Sequence, residues 1–160
     1  MPTVCFDHLP DDVDRDEVEL YDYDQPPGQV NVPLLRKVLE KITAHPEEWD
    51  QADWARTDSE CGTAFCLAGH TALEAGHQVK WQPCRSMEED FCPCGQMFAT
   101  TVTTGETISQ VARRELGLSD QASQALFGAT NSLDELWSLA SLFSGGEIQR
   151  PLSQLALAAA

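Results

Sequence analysis

The sequence predicts a mainly α fold: one compact helical domain, a small β-hairpin insertion and an acidic N-terminal arm. Three observations lead there. Apolar residues recur at helical spacing in several segments that carry cap signals at their ends. One stretch, 77–106, loses that spacing and holds short β-prone runs instead. The run from Asp7 to Asp24 contains nine carboxylates against the single basic Arg15. The chain has 160 residues, enough for one domain with its own core and too few for two full-sized ones.

Residues 1–30 read as an acidic, extended arm. The run ends at Pro26, Pro27 and Gly28, which punctuate the chain before the first periodic segment. Asp12, Asp14 and Asp16 alternate like ligands of a calcium loop. Glu17 stands where the sharp turn needs glycine, however, and Tyr23 where the bidentate glutamate belongs.

The helical domain is expected over 31–150. Asn31 caps a first helix over 31–45, with Pro33 in its first turn and Leu34, Leu35, Val38, Leu39 and Ile42 on one face. His45-Pro46 ends it, because a residue before proline avoids the α region. Trp49 and Trp54 are expected to fold back onto it as core anchors. The next segment, CGTAFCLAGHTALEAG, predicts a helix from Thr63 to Ala75 with Gly76 past its end. Its small residues Ala64, Ala68, Gly69 and Ala72 admit a close neighbour, so it is expected at the centre.

Within 77–106, Val79–Trp81 and Met97–Thr103 predict a two-stranded hairpin with a long Cys-bearing connection. Three further helices follow. Thr107 with Gln110 forms a capping box and Gly117 a stop; Ser119 caps the next helix; Ser132 with Glu135 forms a second capping box. Residues 151–160 read as a tail or a short helix.

Cysteine usage supplies the candidate sites. Cys66 and His70 are four apart on the expected helix, and Cys61 lies near its start. Such a set suits packing, a seed for zinc, or a thiol–imidazole nucleophile. Cys84, Cys92 and Cys94 form C-x7-C-x-C, with Pro93 and Gly95 allowing the sharp turn a C-x-C pair needs. A structural zinc staple there would hold a long loop that lacks apolar anchors, its fourth ligand coming from Cys5, His8 or His77. Free thiols and an oxidised pair are the alternatives.

The formal net charge of −16 argues against binding nucleic acid through its phosphates or an anionic membrane through its lipids. No apolar run approaches the length of a spanning helix, and the N-terminus lacks the pattern of a secretory signal. Cytoplasmic residence is the expectation. Phosphate-binding and hydrolase motifs are missing, which argues against an enzyme. The leading expectation is a small accessory or protein-interaction protein, zinc-stabilised, whose arm steers it to a basic partner surface. A thiol enzyme using Cys61 or Cys66 with His70 is one alternative. An acidic nucleic-acid mimic is another.

Four segments also carry a resemblance. L-x3-L-x2-I-x2-HPEEWDQ-x2-W, CGTAFCLAGHTALEAG, VARRELGLSDQASQALF and NSLDELW resemble parts of small helical proteins of actinobacteria and their phages, across residues 32–77 and 107–143. The most specific piece is C-G-T-A-x-C-x-A-G. In similar proteins a tryptophan often follows its Ala-Gly pair, where this chain has His70. The resemblance implies a helical core around His45 to Gly76 and assigns no activity.

Overall fold

The computed structural model describes residues 29–58, 62–83 and 95–152. Most of the arm, the cysteines Cys5, Cys61, Cys84, Cys92 and Cys94, and the tail beyond Leu152 lie outside the described residues.

Helix α1 (Val32–Ala44) starts where Asn31 Oδ1 accepts the Leu34 N–H at 3.3 Å. Leu35, Val38, Leu39 and Ile42 are buried along one face, and the helix stops at His45. A 3-10 turn follows over Pro46–Glu48. The chain then forms strands β1 (Ala55–Asp58) and β2 (Gly62–Phe65), paired antiparallel from Ala55↔Phe65 to Asp58↔Gly62. Gly62 takes the left-handed φ of 76° as the chain returns. Thr57 and Thr63 share a hydrogen bond across the pair at 2.7 Å.

This hairpin corrects the expected start of the second helix. Thr63, Ala64 and Phe65 are strand, and α2 spans Leu67–Glu74. Thr63 and Phe65 suit an extended backbone, and pairing with β1 outweighs the local helical pattern. Along α2 the side chains from Leu67 to Ala72 are all buried. It packs against α1 and against α3 (Ile108–Leu116), so the small-residue helix is central as expected.

Strands β3 (Gln82–Pro83) and β4 (Met97–Phe98) pair through Gln82↔Phe98 and Pro83↔Met97. β4 also pairs with β1, Arg56 opposite Phe98. The expected two-stranded insertion is therefore one half of a four-stranded antiparallel sheet in the order β2-β1-β4-β3. Val79 and Val102, both expected in strands, meet only as an isolated antiparallel bridge.

The C-terminal helices follow their cap signals. Thr107 and Gln110 exchange both hydrogen bonds at the start of α3, and Gly117 ends it at φ 66°. Ser119 caps α4 (Asp120–Leu126), and Ser132 with Glu135 forms the second box before α5 (Leu133–Phe143). Leu35, Leu39, Phe65, Leu126 and Trp137 belong to one buried cluster, and Leu73 packs on it half-buried. Each fully buried leucine contributes about 1.5–3 kcal/mol. Trp49 and Trp54 stay at the margin of this core, half-buried. The tryptophan tied to α1 is Trp137, which donates from Nε1 to Thr43 Oγ1 at 3.1 Å. Among the described residues, no helix is long and apolar enough to cross a membrane.

Candidate functional site

Cys66 stands between β2 and α2, at the N-cap, with extended backbone (φ −72°, ψ 178°). Its N–H donates to Asp53 O at 3.0 Å, and its thiol points at Trp54 O, 3.8 Å away. Burial pushes the thiol up to about 12; N–H groups of Gly69 and Ala68 pull it down by less. At neutral pH Cys66 is therefore an un-ionised thiol inside the core, whereas a nucleophile needs the thiolate.

His70 lies one turn further along α2, only 1% exposed. Its Nε2 is 2.8 Å from Glu48 O. A carbonyl only accepts, so Nε2 carries the hydrogen. Nδ1 is buried and has no partner among the described residues. The ring meets Phe65 edge-on at 5.4 Å between centroids, and Phe65 in turn lies against Trp81 at 6.0 Å. Burial lowers the pKa of His70; the bond to Glu48 opposes this, and the Lys41 charge adds to it.

The two residues that the sequence places together are thus neighbours on one helical turn, His70 N–H donating to Cys66 O at 3.0 Å. Their side chains turn to two different backbone carbonyls, those of Trp54 and Glu48. Together they fasten the segment before the sheet to the start of α2. Among the described residues, no group of three His, Cys, Asp or Glu side chains converges on a point where a metal ion would sit. His77, a candidate fourth zinc ligand, has Nε2 3.3 Å from Glu115 Oε1.

Sequence reasoning missed Gln51. Its side chain is buried, accepts at Oε1 from Trp49 Nε1 (3.0 Å) and Leu67 N (3.1 Å), and donates from Nε2 to Leu126 O (3.3 Å). One amide therefore joins the 3-10 segment, the first turn of α2 and the end of α4. The one signal in the sequence is a polar residue between two tryptophans, which is too common a pattern to mark a buried hub.

The charges follow a pattern. Lys37 and Lys41 both reach Glu74, at 2.8 and 3.1 Å. These contacts, led by the Lys37 hydrogen bond, hold the Glu74 carboxyl below its ordinary range. Arg56 reaches Asp50 at 3.1 Å and Asp53 at 3.8 Å. Arg113 pairs with Asp120, Arg114 with Glu106 and Arg150 with Asp134. Arg36 donates to Glu147 O at 3.0 Å. These seven cations thus face the chain's own carbonyl and carboxylate oxygens, while Lys80, Glu40, Glu47 and Glu147 are exposed. No protein-family model, curated protein or solved structure matches this chain.

Proposed function

We propose that this is a small interaction protein that docks on a basic protein surface through its acidic arm. One observation carries the reading. Seven of the eight cations among the described residues, all but Lys80, face the chain's own acceptors, so the carboxylates of residues 7–24 add to an excess of acidic over basic residues. Long-range attraction from such an excess accelerates encounter with a positive surface and is screened by salt over about 10 Å at 0.1 M.

The test is titration of the full chain with a lysine- and arginine-rich peptide and with a neutral peptide of equal length. The basic peptide is expected to bind at least tenfold more tightly, and to weaken about tenfold between roughly 50 and 300 mM salt. Replacing Asp12, Asp14 and Asp16 by Asn is expected to cost more affinity than replacing Glu40, Glu47 and Glu147 by Gln. Equal losses, or no preference for the basic peptide, overturn the proposal.

A structural zinc staple at Cys84, Cys92 and Cys94 is a second part of this reading, favoured by one register. Pro83 pairs with Met97, so the chain leaves and re-enters the sheet at adjacent positions, with all three thiols in the interval. Closing both ends of that interval lowers the entropic cost of gathering its ligands. Protein purified without added zinc is expected to hold about one zinc per chain, lost in Cys92→Ser/Cys94→Ser. Metal-free protein with freely titrating thiols at all three positions removes the staple.

A further inference from the structure

A thin strap of chain lies on His70. The ring is 1% exposed, yet the turn it bonds to, Pro46–Glu48, has no buried residue. Every residue from Ala44 to Glu48 is exposed. Among the described residues, the 2.8 Å bond between His70 Nε2 and Glu48 O is the one hydrogen bond that joins this turn to α2. The strap is fixed on either side of that bond. His45 N–H donates to Lys41 O at the end of α1, and Asp50 N–H to Phe65 O in β2, at 2.9 and 3.1 Å. The other ring nitrogen, Nδ1, is buried with no acceptor among the described residues.

We propose that His70 is an acid-operated latch: on taking a proton from solvent at Nδ1, it releases the strap 45–50 from α2 while the rest of the core stays folded. A protonated ring donates from both nitrogens. Nε2 keeps its acceptor, but Nδ1–H stands buried and unpaired on a ring that carries a charge away from water. Of the elements around the ring, the strap yields most cheaply. α1 and α2 are held by buried faces and β2 by its pairing with β1, whereas the strap is one short 3-10 turn. Local opening is drawn from segments of this kind. The surrounding charges do not rescue the buried cation. Burial lowers the pKa of His70 and Lys41 of α1 adds to this, against the bond to Glu48 O and the carboxylates of Glu48 and Glu74. Glu74 is already engaged by Lys37 and Lys41. α3 also packs on α2, and its charged groups, Arg113, Arg114 and Glu115, face Asp120, Glu106 and His77. β2 presents the apolar ring of Phe65. Once the strap lifts, the ring titrates near its ordinary value of about 6.5, so each pH unit below that favours the open form by up to about tenfold.

Hydrogen exchange of the full chain at pH 7.5 and 5.5, corrected for the intrinsic pH dependence of amide exchange, tests the latch. Protection at Glu48, Trp49 and Asp50 is expected to fall at the lower pH by about three- to tenfold. The amides of Leu39 and Leu136, inside α1 and α5, are expected to change by less than about twofold. His70→Phe is expected to abolish the response of the strap. His45→Gln, which removes the exposed imidazole of the strap itself, is expected to preserve it. In the unaltered chain, the NMR resonances of the His70 ring and of the Trp49 amide are expected to titrate together, with one midpoint below about 6.5. A ring that titrates while the Trp49 amide stays fixed overturns the latch. So does a response that survives in His70→Phe, or an equal loss of protection throughout the core, which marks global unfolding.

Discussion

Gly69 and Trp54 meet through backbone alone. A Cβ on Gly69 would overlap the Trp54 carbonyl oxygen and come within 3.0 Å of the Phe65 Cβ. Gly69 sits mid-helix in α2, where glycine costs about 1 kcal/mol against alanine by propensity. The contact reverses the sign of that substitution. Gly69→Ala is expected to destabilise by about 1–3 kcal/mol, since the obstacle is backbone and cannot swing aside. Urea unfolding checks this; a gain in stability would mean that α2 and the Trp54 segment are not in contact.

Gln51 is expected to behave as a hub. Gln51→Leu strands the Leu67 N–H and the Trp49 Nε1–H without their acceptor, at a cost of about 2–4 kcal/mol. Adding Trp49→Phe removes one of those donors. A double-mutant cycle between the two sites is therefore expected to show coupling of about 0.5–2 kcal/mol. Additive effects would dissociate Trp49 from the amide.

The pH dependence near neutrality is expected to come from His70. Its pKa is lowered in the folded protein, so the unfolded chain binds the proton first as pH falls. Stability is then complete above about 6.5 and declines as pH drops below it, with a slope of at most about 1.4 kcal/mol per pH unit. The Glu74 contribution is lost only at lower pH, below the ordinary glutamate range, because that carboxyl is held down by Lys37 and Lys41. Denaturant midpoints at pH 7.5 and 5.5 are expected to differ in the native sequence. In His70→Phe the difference is expected to shrink, and an unchanged difference would place the titrating group elsewhere.

Cys66 is expected to resist alkylation. With its thiol raised to about 12 by burial, no appreciable thiolate exists at pH 8. Treatment of the folded protein with N-ethylmaleimide, followed by peptide mapping, should leave Cys66 unmodified until denaturant is added. Rapid labelling under native conditions would reopen its candidacy as a nucleophile.

The helices were the legible part of this chain. Asn31, Thr107 with Gln110, Ser119, and Ser132 with Glu135 announce their starts by side-chain chemistry that acts within a few residues, and the caps form as expected. The strand at Met97–Phe98 falls within an expected β-prone run, but β1 and β2 were not legible. Ala55–Asp58 buries only Ala55 fully, and it owes its extended form to two partners, one of them some forty residues downstream. Gly62–Phe65 runs straight into a true helix, and a local pattern cannot mark where one ends and the other begins. At the candidate site the neighbourhood of Cys66 and His70 was readable from spacing. Their acceptors were not, because both are backbone oxygens supplied by another stretch of chain.

The position of β1 has a consequence for how the sheet is assembled. Its partner β2 follows it closely in the sequence, whereas its pairing with β4 must wait for a distant segment to arrive. Loop closure favours the local step. During synthesis the first hairpin can therefore stand with one side of β1 bare, offering unpaired N–H and C=O groups to any passing strand. The hazard of misassembly falls in that interval, and β4 ends it by occupying the edge.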